Sequence, residues 1–216
     1  MAEATNRLRR RTQADRRAHT RSALLEAAAR GLSRHGYGGL VLERVAADAG
    51  YTRGALYHQF SGKEELALAV VRWVDETWAD EVRAPLDGVA PADALIALAR
   101  GHAVYCRRDV ARVMMTLRVE CAGRDHPIGA AIGRILERLV ADVAAWVEAG
   151  RAAGDIPPGP PAHATAAAYH GALEGVGIAV SGQAPLDVEL AERTVRGVLG
   201  LPPPATDPDP DSEAST

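Results

Sequence analysis

Residues 41–60 read VLERVAADAGYTRGALYHQF, and this segment carries more structural information than any other part of the chain. Two short apolar segments, 42–49 and 53–59, flank a tight turn at Gly50, where glycine tolerates a left-handed backbone. The hydroxyl of Thr52 is placed to cap the second segment as a helix. Apolar residues are spaced to pack the two helices on each other: Val45, Ala46, Ala49, Leu56 and Phe60. The pattern predicts a helix-turn-helix, whose second helix lies in the DNA major groove.

Charge is unevenly distributed along the chain. Residues 1–66 hold 12 Lys and Arg against 7 Asp and Glu, a net charge of +5, whereas residues 67–216 hold 13 against 21, a net charge of −8. Such an asymmetry favours a nucleic-acid partner for the N-terminal part. Residues 1–12 are basic without apolar periodicity, so we expect a flexible basic arm that attracts DNA regardless of its sequence. The chain has a single lysine, Lys63.

The composition predicts an all-α protein. Ala accounts for 43 of the 216 residues and aromatic residues for only 4%, and Ala favours helices. Ser61 is expected to cap the fourth helix in a capping box with Glu64, and Asp109 to cap the sixth. The tail 201–216 contains five prolines and four acidic residues, and we expect it to be disordered. About nine helices are predicted, near 13–35, 42–49, 53–59, 62–83, 91–107, 110–122, 127–152, 162–181 and 187–199.

The N-terminal segment resembles the tetracycline-repressor (TetR) family of bacterial regulators. The resemblance implies a three-helix DNA-binding domain at residues 13–66, followed by a helical ligand-binding and dimerisation domain at residues 67–200. Two departures stand out: Leu40-Val41 replaces the family's hydroxyl cap of the second helix, and Gly31-Leu32 is expected to loosen the packing of the first. The matching motifs are Leu24-Leu25-Glu26-Ala27-Ala28, Gly36-Tyr37, VAADAG at 45–50, TRGALYHQF at 52–60 and KEEL at 63–66.

The resemblance also implies DNA contacts at individual positions. Arg53 suits bidentate bonds to guanine O6 and N7, although a phosphate contact or a solvated side chain fits as well. Gly54 permits close approach to DNA or simply forms a turn, and Tyr57 either bonds a phosphate or packs its ring in the core. The candidate DNA-binding residues are Thr52, Arg53, Gly54, Ala55, Tyr57, His58 and Lys63.

Polar or polarizable residues on apolar helix faces are the candidates for an effector pocket. The resemblance implies a dimer interface built by the penultimate and last helices, and a stripe of small residues on the helix 162–181 would allow close helix approach there. Both sets have the alternative of ordinary intrachain packing. The ligand-binding candidates are His102, Tyr105, Met114, Arg118, Trp146, Tyr169 and His170, and the dimer-interface candidates are Ala164, Ala168, Gly171, Gly175, Ala179 and Val195.

These features predict a ligand-responsive, homodimeric DNA-binding regulator, with repression favoured over activation, that a small molecule releases from a near-palindromic operator. A helix-turn-helix protein without specific DNA binding is one alternative, and a small-molecule enzyme another. No catalytic residue is predicted, because the chain lacks a GxSxG elbow, an HExxH pair, a P-loop and a GxGxxG loop. No cofactor is predicted, and the histidines lack metal-ligand spacing.

The same sequence predicts where the protein acts. It contains no apolar run long enough for a membrane span and no signal-peptide core, so we expect a cytoplasmic protein. Cys106 and Cys121 are interpreted as reduced thiols, with a redox-sensing role as the alternative.

Overall fold

The computed structural model describes residues 13–204, and all regular secondary structure in this range is helical. The prediction of an all-α fold with about nine helices is confirmed. The expected basic arm at 1–12 and residues 205–216 of the expected tail lie outside the described range. The helices are α1 Gln13–His35, α2 Leu42–Asp48, α3 Arg53–Tyr57, α4 Lys63–Trp78, α5 Pro91–Tyr105, α6 Val113–Cys121, α7 Pro127–Ala153, α8 Ala162–Val180 and α9 Leu186–Leu199.

Three helix ends differ from the sequence prediction. The backbone N–H and the hydroxyl of Ser61 both donate to Glu65 Oε2, at 2.7 and 2.6 Å, so Glu65 and not Glu64 completes the cap. The fourth helix ends at Trp78 and continues as a π-helical turn, Ala79–Arg83, instead of running on as α-helix. Residues Asp109–Arg112 form a 3-10 turn, so α6 begins only at Val113 and Asp109 is not its cap.

The chain forms two compact units. The first comprises residues up to Val74 together with Arg112–Ile132, and the second comprises Asp75–Ala111 together with the chain from Gly133 onward. The first unit therefore extends beyond the boundary drawn at residue 66 from the sequence, and it includes α6. The reason is packing, because α6 lies against α1.

The core of the first unit is built by α1, α2, α3, the first part of α4 and α6. A Cβ on Gly31 would lie 2.9 Å from Leu40 Cδ1, so the glycine makes room for Leu40. Leu32 is fully buried beside it, so the expected loosening at Gly31-Leu32 is not observed. Other buried side chains of this core are Leu24, Leu25, Ala28, Val45, Ala46, Leu56, Phe60, Leu66, Val70, Val113 and Leu117.

The second unit has its own core between α5, α7, α8 and α9. The last helix, α9, packs against both α5 and α8. One bidentate ion pair fixes the start of α9: Arg107 Nε and Nη2 donate to Asp187 Oδ2 and Oδ1 at 2.8 and 2.9 Å. The central side chains of this core include Leu95, Leu98, Val147, Tyr169, Leu173, Ala191 and Leu199.

Candidate nucleic-acid interface

The helix-turn-helix has the local geometry that its sequence predicts. Gly50 has a φ of 77° and ends the α2 segment. Thr52 caps α3, because its Oγ1 accepts the Ala55 N–H at 3.2 Å. Val41 precedes α2 and makes no side-chain capping bond, as expected for an apolar residue in the place of a hydroxyl. Leu56 and Phe60 are buried and anchor α3 to the core of the first unit.

One side of α3 is open to solvent and carries the predicted DNA contacts. Thr52, Arg53 and Gly54 are exposed, as are Tyr57 and His58, and Ala55 is half-buried. A Cβ on Gly54 would approach nothing nearer than Thr52 Oγ1 at 3.8 Å. Because no neighbouring atom requires a glycine there, packing within the unit does not explain the missing side chain.

Arg53 is held by two neighbours on this surface. Its Nη1 lies 3.0 Å from Glu43 Oε1 of α2. Its guanidinium also lies 5.3 Å from the centre of the Tyr57 ring. These two neighbours raise the pKa of Arg53, Tyr57 contributing most. Sequence reasoning missed Glu43, although a carboxylate at the start of the helix preceding α3 is a visible signal.

Lys63 lies at the start of α4 beside the turn that joins α1 to α2. Its Nζ donates to the Gly38 carbonyl at 3.0 Å and lies 4.9 Å from the centre of the Tyr37 ring. One hydrogen bond leaves the ammonium with further donors, because it carries three N–H groups. Lys63 therefore stabilises this turn and keeps N–H donors for a further partner.

A carboxylate from α6 binds the same turn. Glu120 Oε2 accepts the Tyr37 N–H at 2.5 Å, and Oε1 accepts the Gly38 N–H at 2.7 Å. Gly36 has a φ of 65°, and a Cβ there would lie 2.5 Å from Glu120 Oε2. A glycine at 36 is thus required both by the backbone and by the space that Glu120 occupies.

The helix-turn-helix segment matches a known protein family. The model described as "Bacterial regulatory proteins, tetR family" matches residues 24–70, from within α1 to within α4. Over residues 24–70 the chain is similar to the tetR family of bacterial regulatory proteins. The resemblance noted in the sequence is thereby confirmed.

Two bacterial transcriptional regulators are similar to this chain in sequence. The Pseudomonas putida HTH-type transcriptional regulator CymR is 35% identical over 131 residues, 60% of this chain and 64% of CymR. The Corynebacterium glutamicum HTH-type transcriptional repressor AcnR is 40% identical over 58 residues, 27% of this chain and 31% of AcnR. Both matches span less than two thirds of the relative.

Among solved structures, AibR in complex with isovaleryl coenzyme A and operator DNA has the same fold. The TM-score is 0.71 at 21% identity, covering 83% of this chain and 98% of that chain.

The seven ligand-binding candidates divide between the two units. Met114 and Arg118 belong to the first unit and the other five to the second. Tyr169 is 1% exposed and donates its hydroxyl hydrogen to the Leu95 carbonyl at 2.5 Å, which places it in the core. Trp146 is half-buried, with the Arg83 guanidinium 5.9 Å from its ring centre.

His102 is the candidate that reaches a cavity in the interior of the second unit. The cavity measures about 10 Å³, room for about one water molecule. Trp78 Nε1 donates to His102 Nδ1 at 3.1 Å, which leaves the proton on Nε2, 3.3 Å from Cys106 Sγ. Burial, assisted by the nearby His170, lowers the pKa of His102 to about 4, so its ring is neutral at pH 7.

His170 and Tyr105 lie in different surroundings. The Nε2 of His170 faces Glu174 Oε1 at 3.5 Å on α8, too far for a good hydrogen bond. Tyr105 lines a surface cleft of about 360 Å³, with Arg100 and Arg108 at its sides. Burial raises the pKa of Tyr105 to about 12, so its hydroxyl stays protonated.

The predicted dimer residues also fall into two groups. The small residues of α8, Ala164, Ala168, Gly171, Gly175 and Ala179, are all exposed in the single chain. The prediction for Val195 is wrong, because this residue is fully buried in the core of its own unit, where α9 packs against α5 and α8. Ile178, which the sequence analysis left out, is 66% exposed and lies beside the small stripe.

The part of the chain that the structure describes offers neither a cluster of metal ligands nor a membrane-spanning helix. Between residues 13 and 204, no three His, Cys, Asp or Glu side chains are grouped so that they could hold a metal ion. Within the same range, no helix combines the length and the apolar character that crossing a membrane requires.

Proposed function

We propose that this chain is a homodimeric, ligand-responsive transcriptional repressor that binds a near-palindromic operator and is released from it by a small molecule. The observation that carries the proposal is the open side of α3, where Arg53, Tyr57 and a bare Gly54 face solvent on a rigidly packed helix. A tetR-family regulator that reads chromosomal DNA acts in the cytoplasm, and we assign it no catalytic activity.

The exposed residues divide by the chemistry of their side chains. Arg53 reads a base edge through its guanidinium, and Gly54 lets the helix backbone approach the groove. Tyr57, His58 and Lys63 contact phosphates, which fix position without carrying sequence information. Thr52 and Ala55 complete the surface, Thr52 beside a phosphate and Ala55 against the bases.

A dimer is needed because a near-palindromic operator offers two half-sites. Two copies of α3 would enter successive major grooves, about 34–36 Å apart. We place the interface on the exposed face of α8, at Ala164, Ala168, Gly171, Gly175 and Ala179. Their small side chains let a partner helix approach closely, and a Cβ built on Gly171 or Gly175 meets no atom within 4 Å in the single chain.

The effector is a small molecule bound in the helical domain. AibR, which shares the fold, was solved with isovaleryl coenzyme A and operator DNA together. For this chain we propose that the effector site lies in the second unit, among the candidates His102, Tyr105, Trp146, Tyr169 and His170; Met114 and Arg118 belong to the first unit. The effector acts by favouring a dimer geometry with the wrong spacing, which requires different affinities for the two states.

The test is operator binding by fluorescence anisotropy, with duplexes recovered from genomic fragments that the wild-type protein selects. We expect tight binding with a steep negative salt dependence and weak binding to a scrambled duplex. Arg53→Ala and Tyr57→Ala should each weaken operator binding at least tenfold. Arg134→Ala, an equal charge change at an exposed position outside the first unit, should not. Unchanged affinity in both α3 variants would contradict the proposal.

A further inference from the structure

Glu43 presents a carboxylate on the surface that the proposed function turns toward DNA. It is the second residue of α2, and its Oε1 lies 3.0 Å from Arg53 Nη1 at the start of α3. Both side chains are more than half exposed, at 53% and 63%. A negative charge is repelled by the phosphate backbone, so its presence here requires an explanation.

Stability of the fold does not explain the pair. Ion pairs between exposed side chains contribute little, because water screens them and two long side chains must be ordered. The first unit is held instead by its apolar core, in which Leu56 and Phe60 anchor α3. What Glu43 changes is the position of one guanidinium.

The contacts of Arg53 leave further N–H donors of its guanidinium available. Glu43 Oε1 contacts Nη1, and the Tyr57 ring, 5.3 Å away at its centre, flanks the guanidinium from within α3. A guanidinium has five N–H donors in a fixed plane, so donors remain for a bidentate contact with guanine O6 and N7. Free arginine side chains sample many rotamers, and holding this one in advance lowers the cost of ordering it on DNA.

We propose that Glu43 is a specificity-determining positioning residue, whose carboxylate holds Arg53 in the orientation that reads one guanine in each half-site. The inference rests on the proposed function, since it requires α3 to lie in the major groove. On this proposal the Glu43 carboxylate lowers the affinity for DNA of any sequence and raises the preference for the site that contains the guanine.

The experiment is selection of bound duplexes from a randomised library, followed by anisotropy on the selected site and on the site with the guanine replaced. A good bidentate contact discriminates about 5- to 150-fold against the wrong base. Arg53→Ala should abolish this ratio. Glu43→Gln, which removes the charge and keeps the shape, should reduce the ratio at least twofold at the same base pair but less than Arg53→Ala does, and binding to scrambled duplex should stay equal or become tighter.

Controls separate positioning from charge and from folding. Asp48→Asn removes an exposed carboxylate from the same helix and should leave the guanine preference intact. Glu43→Asp should restore part of it, and Arg53→Ala with Glu43→Gln should be no worse than Arg53→Ala alone. Melting temperatures of all the variants should agree within about 2 °C.

Three results would overturn the inference about Glu43. One is an unchanged guanine preference in Glu43→Gln, and a second is an equal loss in Asp48→Asn. The third is a loss at a different base pair, which would mean that Glu43 itself accepts from a cytosine amino group. Failure of the wild-type protein to select any sequence would instead contradict the proposed function.

Discussion

Glu120→Ala should make the turn between α1 and α2 open more easily. The substitution removes both acceptors of the Tyr37 and Gly38 N–H groups, which bind the carboxylate at 2.5 and 2.7 Å. Hydrogen bonds to a charged group contribute about 1.5–3 kcal/mol each. Because the Gly38 contact is exposed, water can replace part of the loss, and we expect opening of this turn to become easier by about 2 kcal/mol in total.

Amide hydrogen exchange measures this opening at the affected atoms. In the wild-type protein the Tyr37 and Gly38 amides should be protected, and in Glu120→Ala their exchange should accelerate about 30-fold, which corresponds to about 2 kcal/mol. Glu120→Gln keeps one acceptor oxygen and should give an intermediate rate. Glu26→Ala, an exposed position of α1 in the same unit, serves as the matched control and should leave both amides unchanged.

The reasoning about Glu120 is refuted if the two amides exchange at wild-type rates in Glu120→Ala. It is also refuted if amides throughout the first unit accelerate equally, because the carboxylate would then support global stability and not this turn.

Three further predictions concern the second unit. Asp187→Ala removes the acceptor of both Arg107 hydrogen bonds and should lower the free energy of unfolding by about 1.5–3 kcal/mol in urea titrations, against under about 0.5 kcal/mol for the exposed Glu189→Ala. His102 has a folded-state pKa of about 4, below the unfolded value of about 6.5, so the unfolded chain takes up a proton first and stability falls as the pH drops from about 6.5 to 4. The loss should reach at most about 3 kcal/mol, and the slope should flatten in His102→Gln; an identical slope would contradict this assignment. Burial raises the pKa of Cys106 to about 11, so iodoacetamide should alkylate this thiol only on unfolding, whereas rapid labelling of the folded protein would favour a redox-sensing role.

Local signals in the sequence predicted the helix-turn-helix well. Gly50 and Thr52 act through their own backbone and hydroxyl, so their effect does not depend on the rest of the fold. The cap of α4 shows where such reasoning fails. Glu64 and Glu65 are adjacent, and local sequence alone does not choose between them. Because the helix begins at Lys63, one residue later than predicted, the carboxylate that binds Ser61 is that of Glu65.

Contacts distant in sequence could not be predicted in this way. Glu120 and Tyr37 are 83 positions apart, and no periodicity within either segment relates them. Val195 illustrates the same limit, because the apolar face of α9 was visible but not whether that face meets its own unit or a second copy. The residues of the effector site stay a prediction, and His102 lines a cavity of about 10 Å³ in the single chain.

The position of Lys63 has a practical consequence for chemical labelling. It is the one lysine of the chain, so an amine-reactive reagent has a single side-chain target, in addition to the α-amino group. That target donates a hydrogen bond to the Gly38 carbonyl, in the turn before the helix-turn-helix. Acylation would therefore remove one positive charge and one hydrogen bond at the same atom, and the yield of a single labelled peptide would report how well this ammonium is shielded, with and without bound DNA.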